Sequence, residues 1–174
     1  MNIVLCGMMG AGKTTIGFKI AELTGRRWYD TDGVIVDKYG KISDIFEYYG
    51  EAHFRKLETE IVKELAQKDE LVISTGGGLV LKNENNAVLQ KNGKIVFLRA
   101  SLETLAKRLK VDGTRPLLQT STESIRDRLA RLMKERMPVY EHVADYIVDV
   151  DGKTPVQIAT EIVEIIKKAQ AGMQ

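Results

Sequence analysis

The 174-residue sequence contains one cysteine, three prolines and two histidines, and these scarcities exclude several classes of protein. The single cysteine, Cys6, allows no internal disulfide, so a reducing cytoplasm is expected. Because Cys6 ends an apolar run, the pattern favours a small buried core residue over a nucleophile. The histidines, His53 and His142, have no metal-ligand spacing around them, which favours surface or structural roles.

Long apolar runs and an excess of one charge are also missing. No stretch approaches the ~20 apolar residues that a membrane span needs, and the first apolar run begins too close to Met1 for a signal peptide. The 26 Lys and Arg residues against 24 Asp and Glu residues give a net charge of +2, which does not indicate a nucleic acid or an anionic membrane as partner. The length fits one domain with a sizeable core.

Short apolar runs alternate with longer helical patterns, which is typical of an α/β domain with a mostly parallel sheet. The predicted strands are Asn2–Cys6, Arg27–Tyr29, Leu71–Ser74, Ile95–Leu98 and Tyr146–Val148. The predicted helices are Lys13–Leu23, Asp44–Tyr48, Ala52–Gln67, Asn86–Lys91, Leu102–Leu109, Ser124–Tyr140 and Pro155–Ala169. The segment 111–122 has no periodicity, and its length favours a lid over a simple connector.

The most informative motif is Gly-Met-Met-Gly-Ala-Gly-Lys-Thr at residues 7–14, a complete phosphate-binding P-loop. An apolar strand pattern precedes it and a helical pattern follows, so backbone N–H groups and a helix N-terminus can face a phosphate. In that geometry Lys13 would reach the β- and γ-phosphates, and the Thr14 hydroxyl would ligate Mg²⁺. A glycine turn that merely precedes a helix is the alternative. The complete motif with both flanking elements instead predicts a nucleotide-phosphate site.

A second motif, Asp30-Thr31-Asp32, follows the second predicted strand. Alternate residues of an extended segment share a face, so both carboxylates can point to the sheet edge where the P-loop lies. A phosphotransferase needs one carboxylate to help organise Mg²⁺ and another to accept the proton of the attacking hydroxyl. Asp32 could instead cap a helix that begins near Val34. The neighbouring P-loop favours the functional interpretation.

Two further features have both a functional and an ordinary interpretation. Arg55 and Glu58 are spaced to pair on a helix, as many solvated ion pairs are. Gly76, Gly77 and Gly78 follow the third predicted strand, where glycines let a backbone approach a ligand closely or simply form a flexible turn.

Two arginines could bind an anionic substrate. Arg115, within the predicted lid, could close over a transferring phosphoryl group. Arg136 precedes Pro138, which is expected to disrupt or end the helix there and could fix the direction of Arg136. Planar guanidinium groups bind carboxylates and phosphates bidentately, although an arginine on a long charged helix is usually just solvated.

In order and spacing, these motifs resemble the shikimate kinases, a family of the nucleoside-monophosphate-kinase-like P-loop group. The resemblance runs from Ile3 to the helix after Pro155, which is nearly the whole chain. It rests on the P-loop, Asp30-Thr31-Asp32, Asp44-Ile45-Phe46, Gly50-Glu51, Phe54-Arg55, Gly76-Gly77-Gly78, Arg115-Pro116-Leu117-Leu118 and Arg136-x-Pro138-x-Tyr140.

The resemblance implies one domain, residues 1–174, with the three-layer α/β fold of P-loop kinases. It implies a five-stranded parallel sheet in the order 2-3-1-4-5, a substrate-binding region at about residues 32–61 and a mobile lid at about residues 111–122. The implied reaction is ATP-dependent phosphorylation of the 3-hydroxyl of shikimate, in the pathway to chorismate and aromatic amino acids, with ATP and Mg²⁺ as cofactors. We expect a cytoplasmic monomer with no nucleic-acid or membrane partner.

The resemblance also implies residue roles at the substrate. Asp32 would bind shikimate hydroxyls and act as the base, while Asp30 would hold Mg²⁺ through water beside Thr14. Arg55 and Arg136 would clamp the shikimate carboxylate. The rest of the implied substrate site is Glu58, which would orient Arg55, and the loop Gly76, Gly77 and Gly78.

At the nucleotide, the resemblance implies that Lys13 and Arg115 lie on the transferring phosphate. Arg108 and the turn Lys153–Pro155 would flank adenine, although many relatives carry arginine where this chain has Lys153. The implied nucleotide-binding set is Gly10, Ala11, Gly12, Lys13, Thr14, Thr15, Arg108, Arg115, Lys153 and Pro155.

The residues alone leave two alternatives open. Two arginines could equally hold a nucleotide phosphate, so a gluconate or nucleoside-monophosphate kinase is one alternative. A catalytically silent nucleotide-binding module is the other. The intact set Lys13, Thr14, Asp32 and Arg115 argues against silence.

Overall fold

Five parallel strands form the centre of the computed structural model, which describes residues 1–111 and 124–172. The strands are β1 (Asn2–Cys6), β2 (Arg27–Asp30), β3 (Leu71–Ser74), β4 (Gly93–Arg99) and β5 (Tyr146–Asp149). Their order across the sheet is β2-β3-β1-β4-β5, which confirms the predicted order. The central strand β1 has Val4 beside Ile73 of β3 on one side and Ile95 of β4 on the other.

Helices flank this sheet and cover its apolar strands. They are α1 (Lys13–Thr24), α2 (Thr31–Tyr39), α3 (Ile42–Ala66), α4 (Asn83–Lys91), α5 (Leu102–Val111), α6 (Ile125–Val143) and α7 (Pro155–Ala171), with a short 3-10 helix at Leu79–Leu81. All residues of β1 and β3 are buried, as expected for parallel strands that are covered on both faces. The main helix pairs are α1 with α7, α2 with α3, α3 with α4 and α5 with α6. None of the helices within the described residues has the length and apolarity to cross a membrane.

Three elements differ from the sequence prediction. Helix α2 was anticipated only in the alternative in which Asp32 caps a helix near Val34, because its run of β-branched residues does not have a helical pattern; it begins earlier, at Thr31. The two helices predicted on either side of Gly50 form one element, α3, with a kink at that residue (φ 83°, ψ 171°). Helix α6, predicted over Ser124–Tyr140, extends to Val143, so Pro138 does not disrupt or end it. Proline has no N–H group, so the Lys134 carbonyl, four residues earlier, lacks its usual helical donor. Both residues are exposed, so water can donate to this carbonyl instead.

The carboxyl ends of three neighbouring strands bring the predicted motifs to one edge of the sheet. The P-loop follows β1, Asp30 ends β2, and the three glycines follow β3. Parallel α/β sheets bind ligands at this edge. The predicted lid at about residues 111–122, with Arg115, lies outside the described residues except for Val111 at the end of α5.

Candidate active site

The P-loop wraps around the N-terminus of α1, as its sequence predicts. Gly7, Gly10 and Gly12 have positive φ angles of 143°, 83° and 96°, which an L-residue with a side chain rarely adopts. The Lys13 ammonium donates to the carbonyls of Gly7 (2.7 Å) and Met8 (2.9 Å). The lysine is therefore folded over the loop in which a phosphate would lie.

Thr14 and Asp30 lie in direct contact at the start of α1. The Thr14 hydroxyl donates to Asp30 Oδ2 over 2.7 Å. The other oxygen of Asp30 accepts from the N–H groups of Asp32 (3.0 Å) and Gly33 (3.3 Å). Asp30 is therefore the N-cap of α2, and the suggestion that Asp32 caps this helix is wrong.

This pair of oxygen ligands is compatible with Mg²⁺ bound to a nucleotide. Among the described residues there is no cluster of three or more His, Cys, Asp or Glu that could hold a metal ion by itself. Mg²⁺ usually keeps several waters and binds through one or two carboxylates together with substrate phosphates. The Thr14 hydroxyl and the Asp30 carboxylate, beside the P-loop, are therefore suitable protein ligands for such an ion.

The loop after β3 lies directly over Asp32. The buried Thr31 hydroxyl accepts from the Gly76 N–H over 2.9 Å, which ties the loop to the first turn of α2. A Cβ atom placed on Gly76 would lie 2.7 Å from Asp32 Oδ1 and 3.1 Å from Glu58 Oε1. The carboxylates of Asp32 and Glu58 therefore both lie in the space that a side chain at Gly76 would occupy.

Arg55 lies against the same loop and is held by acidic partners. Its guanidinium pairs with Glu58 (2.7 Å) and with Glu51 (3.1 Å). A Cβ atom on Gly78 would lie only 2.5 Å from Arg55 Nη1, so the glycine makes room for the guanidinium. Because the Glu58 side chain is only 1% exposed, the Arg55–Glu58 pair is not the solvated surface pair that its spacing also allowed. Burial raises the pKa of Glu58, and the Arg55 charge opposes the rise.

Arg136 approaches the loop from the opposite helix, α6. A Cβ atom on Gly77 would lie 3.4 Å from Arg136 Nη1. The Tyr140 hydroxyl, one helical turn further on, donates to the Gly77 carbonyl over 2.6 Å. Tyr140 is fully buried against Phe97, and this burial raises its pKa to about 12. Sequence reasoning placed Tyr140 in a motif but assigned it no role; its spacing of four residues from Arg136 was the available signal.

A cavity of about 560 Å³ extends from Asp32, Gly76 and Gly77, past the P-loop, to Arg108. Arg55 and Arg136 lie against the glycine loop but are not among the described residues that line this cavity. Arg108 Nη1 donates to the carbonyls of Gly10 (3.0 Å) and Ala11 (3.2 Å). A larger depression of about 770 Å³ between β2 and α7 contains none of the predicted site residues, so the chemistry points to the smaller cavity.

Of the turn predicted to flank adenine, Pro155 borders this cavity and Lys153 does not. The Lys153 ammonium pairs with Glu161 of α7 at 2.6 Å. Since this pairing directs the ammonium toward α7, the structure does not bring Lys153 together with the other nucleotide-site residues. The residue predicted for adenine that does lie at the P-loop is Arg108.

The chain is similar to known proteins over almost its entire length. A family model described as shikimate kinase matches residues 9–167. A shikimate kinase of Thermodesulfovibrio yellowstonii is 42% identical over 172 residues, which is 98% of each chain. One of Caldicellulosiruptor bescii is 44% identical over 165 residues, which is 94% of each chain. A solved structure of shikimate kinase from Acinetobacter baumannii in complex with shikimate has a TM-score of 0.90 and 38% identity, covering 97% of this chain and 93% of that one.

Proposed function

The chain belongs to the shikimate kinase family, and we propose that it transfers the γ-phosphoryl group of ATP to the 3-hydroxyl of shikimate. The products would be shikimate 3-phosphate, on the way to chorismate and the aromatic amino acids, and ADP. One observation carries the proposal for this chain. Arg55, Arg136 and Asp32, from three different helices, converge on the three glycines after β3, beside a complete P-loop.

The substrate end of the site suits a small polyhydroxy carboxylate. Such a molecule needs cationic groups for its carboxylate and acceptors for its hydroxyls. Arg55 and Arg136 supply two guanidinium groups, and Asp32 supplies the acceptor. The buried Glu58 holds Arg55 at 2.7 Å, so less side-chain freedom is lost when Arg55 binds a carboxylate.

At the phosphate end, we propose that Lys13 leaves the carbonyls of its own loop and binds the β- and γ-phosphates. Thr14 and Asp30 would hold Mg²⁺, Asp30 through water, and the bound ion would neutralise phosphate charge. Asp32 would accept the proton of the attacking 3-hydroxyl. Arg115, which lies outside the described residues, remains the sequence-based candidate for the transferring phosphoryl group.

At the adenine end, Arg108 is the better supported of the two predicted contacts. Its guanidinium already lies at Gly10 and Ala11 of the P-loop, and Pro155 borders the same cavity. Lys153 would have to leave Glu161 to reach a nucleotide. We therefore assign adenine to the surface between Arg108 and Pro155.

We also propose that the protein acts as a cytoplasmic monomer. The family resemblance implies a monomer, and the single, buried thiol suits a reducing compartment. Light scattering of the purified protein at micromolar concentration tests the monomer directly. A dimer mass would contradict it without affecting the proposed reaction.

An acceptor panel tests the proposed reaction. ADP release is measured with ATP and Mg²⁺ in the presence of shikimate, gluconate or each common nucleoside monophosphate. Of these acceptors, we expect only shikimate to support ADP release. The Lys13→Ala variant, purified in the same way, should lose this activity, which would exclude a contaminating kinase as its source. Turnover with gluconate or a nucleotide instead would favour the corresponding kinase. The absence of acceptor-dependent turnover would favour a nucleotide-binding module.

A further inference from the structure

We propose that Tyr140 is a positioning residue, whose hydroxyl fixes the Gly77–Gly78 peptide and the neighbouring Arg136 for shikimate binding. The inference rests on the proposed function, because it assigns this loop and Arg136 to the substrate. It adds a residue that makes no proposed contact with shikimate itself.

The hydrogen bond from Tyr140 holds the middle peptide of the glycine loop. Its hydroxyl donates to the Gly77 carbonyl over 2.6 Å. Because a trans peptide is planar, fixing this carbonyl also fixes the Gly78 N–H, which points the opposite way. Glycines have no side chain that could hold the loop by packing, so hydrogen bonds orient it. Thr31 binds the Gly76 N–H, and Tyr140 binds the Gly77 carbonyl.

The tyrosine is itself held rigidly. Its side chain is fully buried, and its ring lies 5.2 Å from the ring of Phe97 on β4. The hydroxyl also lies 3.9 Å from the sulfur of Met8 in the P-loop. Tyr140 therefore connects the central sheet with the loop that faces the substrate.

The same helix turn presents Arg136 to the loop. Residues four apart lie on one face of a helix, and α6 keeps this spacing because it continues through Pro138. A Cβ atom on Gly77 would lie 3.4 Å from Arg136 Nη1 and 3.8 Å from the Tyr140 hydroxyl. One peptide is thus approached by both side chains, so a shift of Tyr140 would separate Arg136 from the loop.

Tyr140→Phe removes only the hydroxyl and tests the proposal by kinetics. We expect the KM for shikimate to rise about three- to tenfold, as for loss of one hydrogen bond, while the KM for ATP stays within about twofold. A merely structural role would lower the amount of folded enzyme, and hence the maximal rate, without changing either KM. Ile166→Val, in the buried core of α7 and away from the loop, is the matched destabilised control. An unchanged KM for shikimate, or an equal rise in both KM values, would overturn the proposal.

A second measurement does not depend on activity. In protein labelled with ¹⁵N-glycine, Tyr140→Phe should shift the amide signals of Gly77 and Gly78 and leave that of Gly152 in place. Unmoved Gly77 and Gly78 signals would overturn the positioning role even if the enzyme were active. If these signals shift but the wild type does not phosphorylate shikimate, the proposed function is wrong, whereas the hydrogen bond from Tyr140 to Gly77 is still supported.

Discussion

Arg55 and Arg136 lie on different helices, yet both guanidinium groups face the glycines after β3. If they clamp the shikimate carboxylate, Arg55→Ala and Arg136→Ala should each raise the KM for shikimate about ten- to hundredfold and leave ATP binding close to normal. Each variant loses a charge-assisted contact of roughly 1.5–3 kcal/mol. Steady-state kinetics with either substrate varied measures both effects.

The matched control is Arg27→Ala, an exposed arginine at the opposite end of β2. Lysine at either substrate position should rescue little, because a single ammonium cannot reproduce the planar fork of a guanidinium. Wild-type affinity for shikimate in both alanine variants would contradict the assignment.

Asp30, which ends β2, and Asp32, in the first turn of α2, have separable proposed roles. Asp32→Asn should lower kcat severely, within the lower part of the ~10²–10⁴-fold range for a positioned base, because phosphoryl transfer has a loose transition state. Asp30→Asn should instead raise the Mg²⁺ requirement, and its amide oxygen can still cap α2. Titration of Mg²⁺ with each variant separates the roles. If excess Mg²⁺ restored the activity of Asp32→Asn, Asp32 would be the Mg²⁺ ligand and Asp30 the base.

The buried carboxylate of Glu58 makes stability depend on pH. Burial raises its pKa above the ordinary value of 4.5, although Arg55 opposes the rise. A raised pKa in the folded state gives a contribution to stability that is fully present below about pH 4.5 and is lost as pH rises through the folded-state pKa. Relative to Glu58→Gln, the wild type should therefore become less stable as pH rises from about 4.5 toward neutrality.

Urea denaturation of both proteins across that pH range measures the difference in free energy of unfolding. Glu51→Gln, which removes the exposed acidic partner of the same Arg55 guanidinium, is the matched control. A constant difference between wild type and Glu58→Gln would show that the Glu58 pKa is the same in the folded and unfolded chains.

Helix α1 shows how tightly the element that carries the P-loop is fixed. A Cβ atom on Gly17 would overlap the Ser74 hydroxyl and the Trp28 indole nitrogen, which are hydrogen-bonded to each other at 3.0 Å. Ser74 in turn donates to the Lys13 carbonyl over 2.8 Å. Gly17→Ala should therefore lower the free energy of unfolding by about 1–3 kcal/mol, although alanine favours helix by ~1 kcal/mol.

Gly33→Ala in α2 is the matched control, since the nearest atom to its Cβ would be the Asp30 Cβ at 3.7 Å. This substitution should stabilise the protein by up to about 1 kcal/mol, because only the helix preference acts. Chemical denaturation measures both changes. Equal effects of the two substitutions would contradict the packing at Gly17.

For the whole molecule, the buried thiol of Cys6 reports cooperative unfolding. Cys6 ends the central strand, and burial raises its pKa to about 12. A thiol reagent at pH 8 should therefore react only with the unfolded chain, at a rate that increases with denaturant as the unfolded fraction does. Val156→Cys, at a position that is 52% exposed, should add one thiol that reacts at once. Rapid labelling of the native wild type would show local opening at β1.

Local sequence determined the strands, the P-loop and the order of the motifs along the chain. Short apolar runs bounded by turn residues are typical of strands in a covered parallel sheet, and a P-loop joins such a strand to a helix. The ends of such strands share one edge, so Asp30 and Asp32 could be placed beside the P-loop from sequence, whereas the three glycines joined the site only through the family resemblance. The strand order itself rested on the family resemblance and is confirmed.

Tertiary structure alone decided what depends on partners far away in sequence. Asp30, not Asp32, caps α2; Glu58 is buried with Arg55; and Lys153 pairs with Glu161. Tyr140 reaches the Gly77 carbonyl across a separation of 63 residues, from a helix that Pro138 was expected to disrupt or end and that continues to Val143. Periodicity and spacing report on neighbours along one element. Burial and hydrogen-bond partners are set by which elements pack together, and these contacts orient the groups of the site.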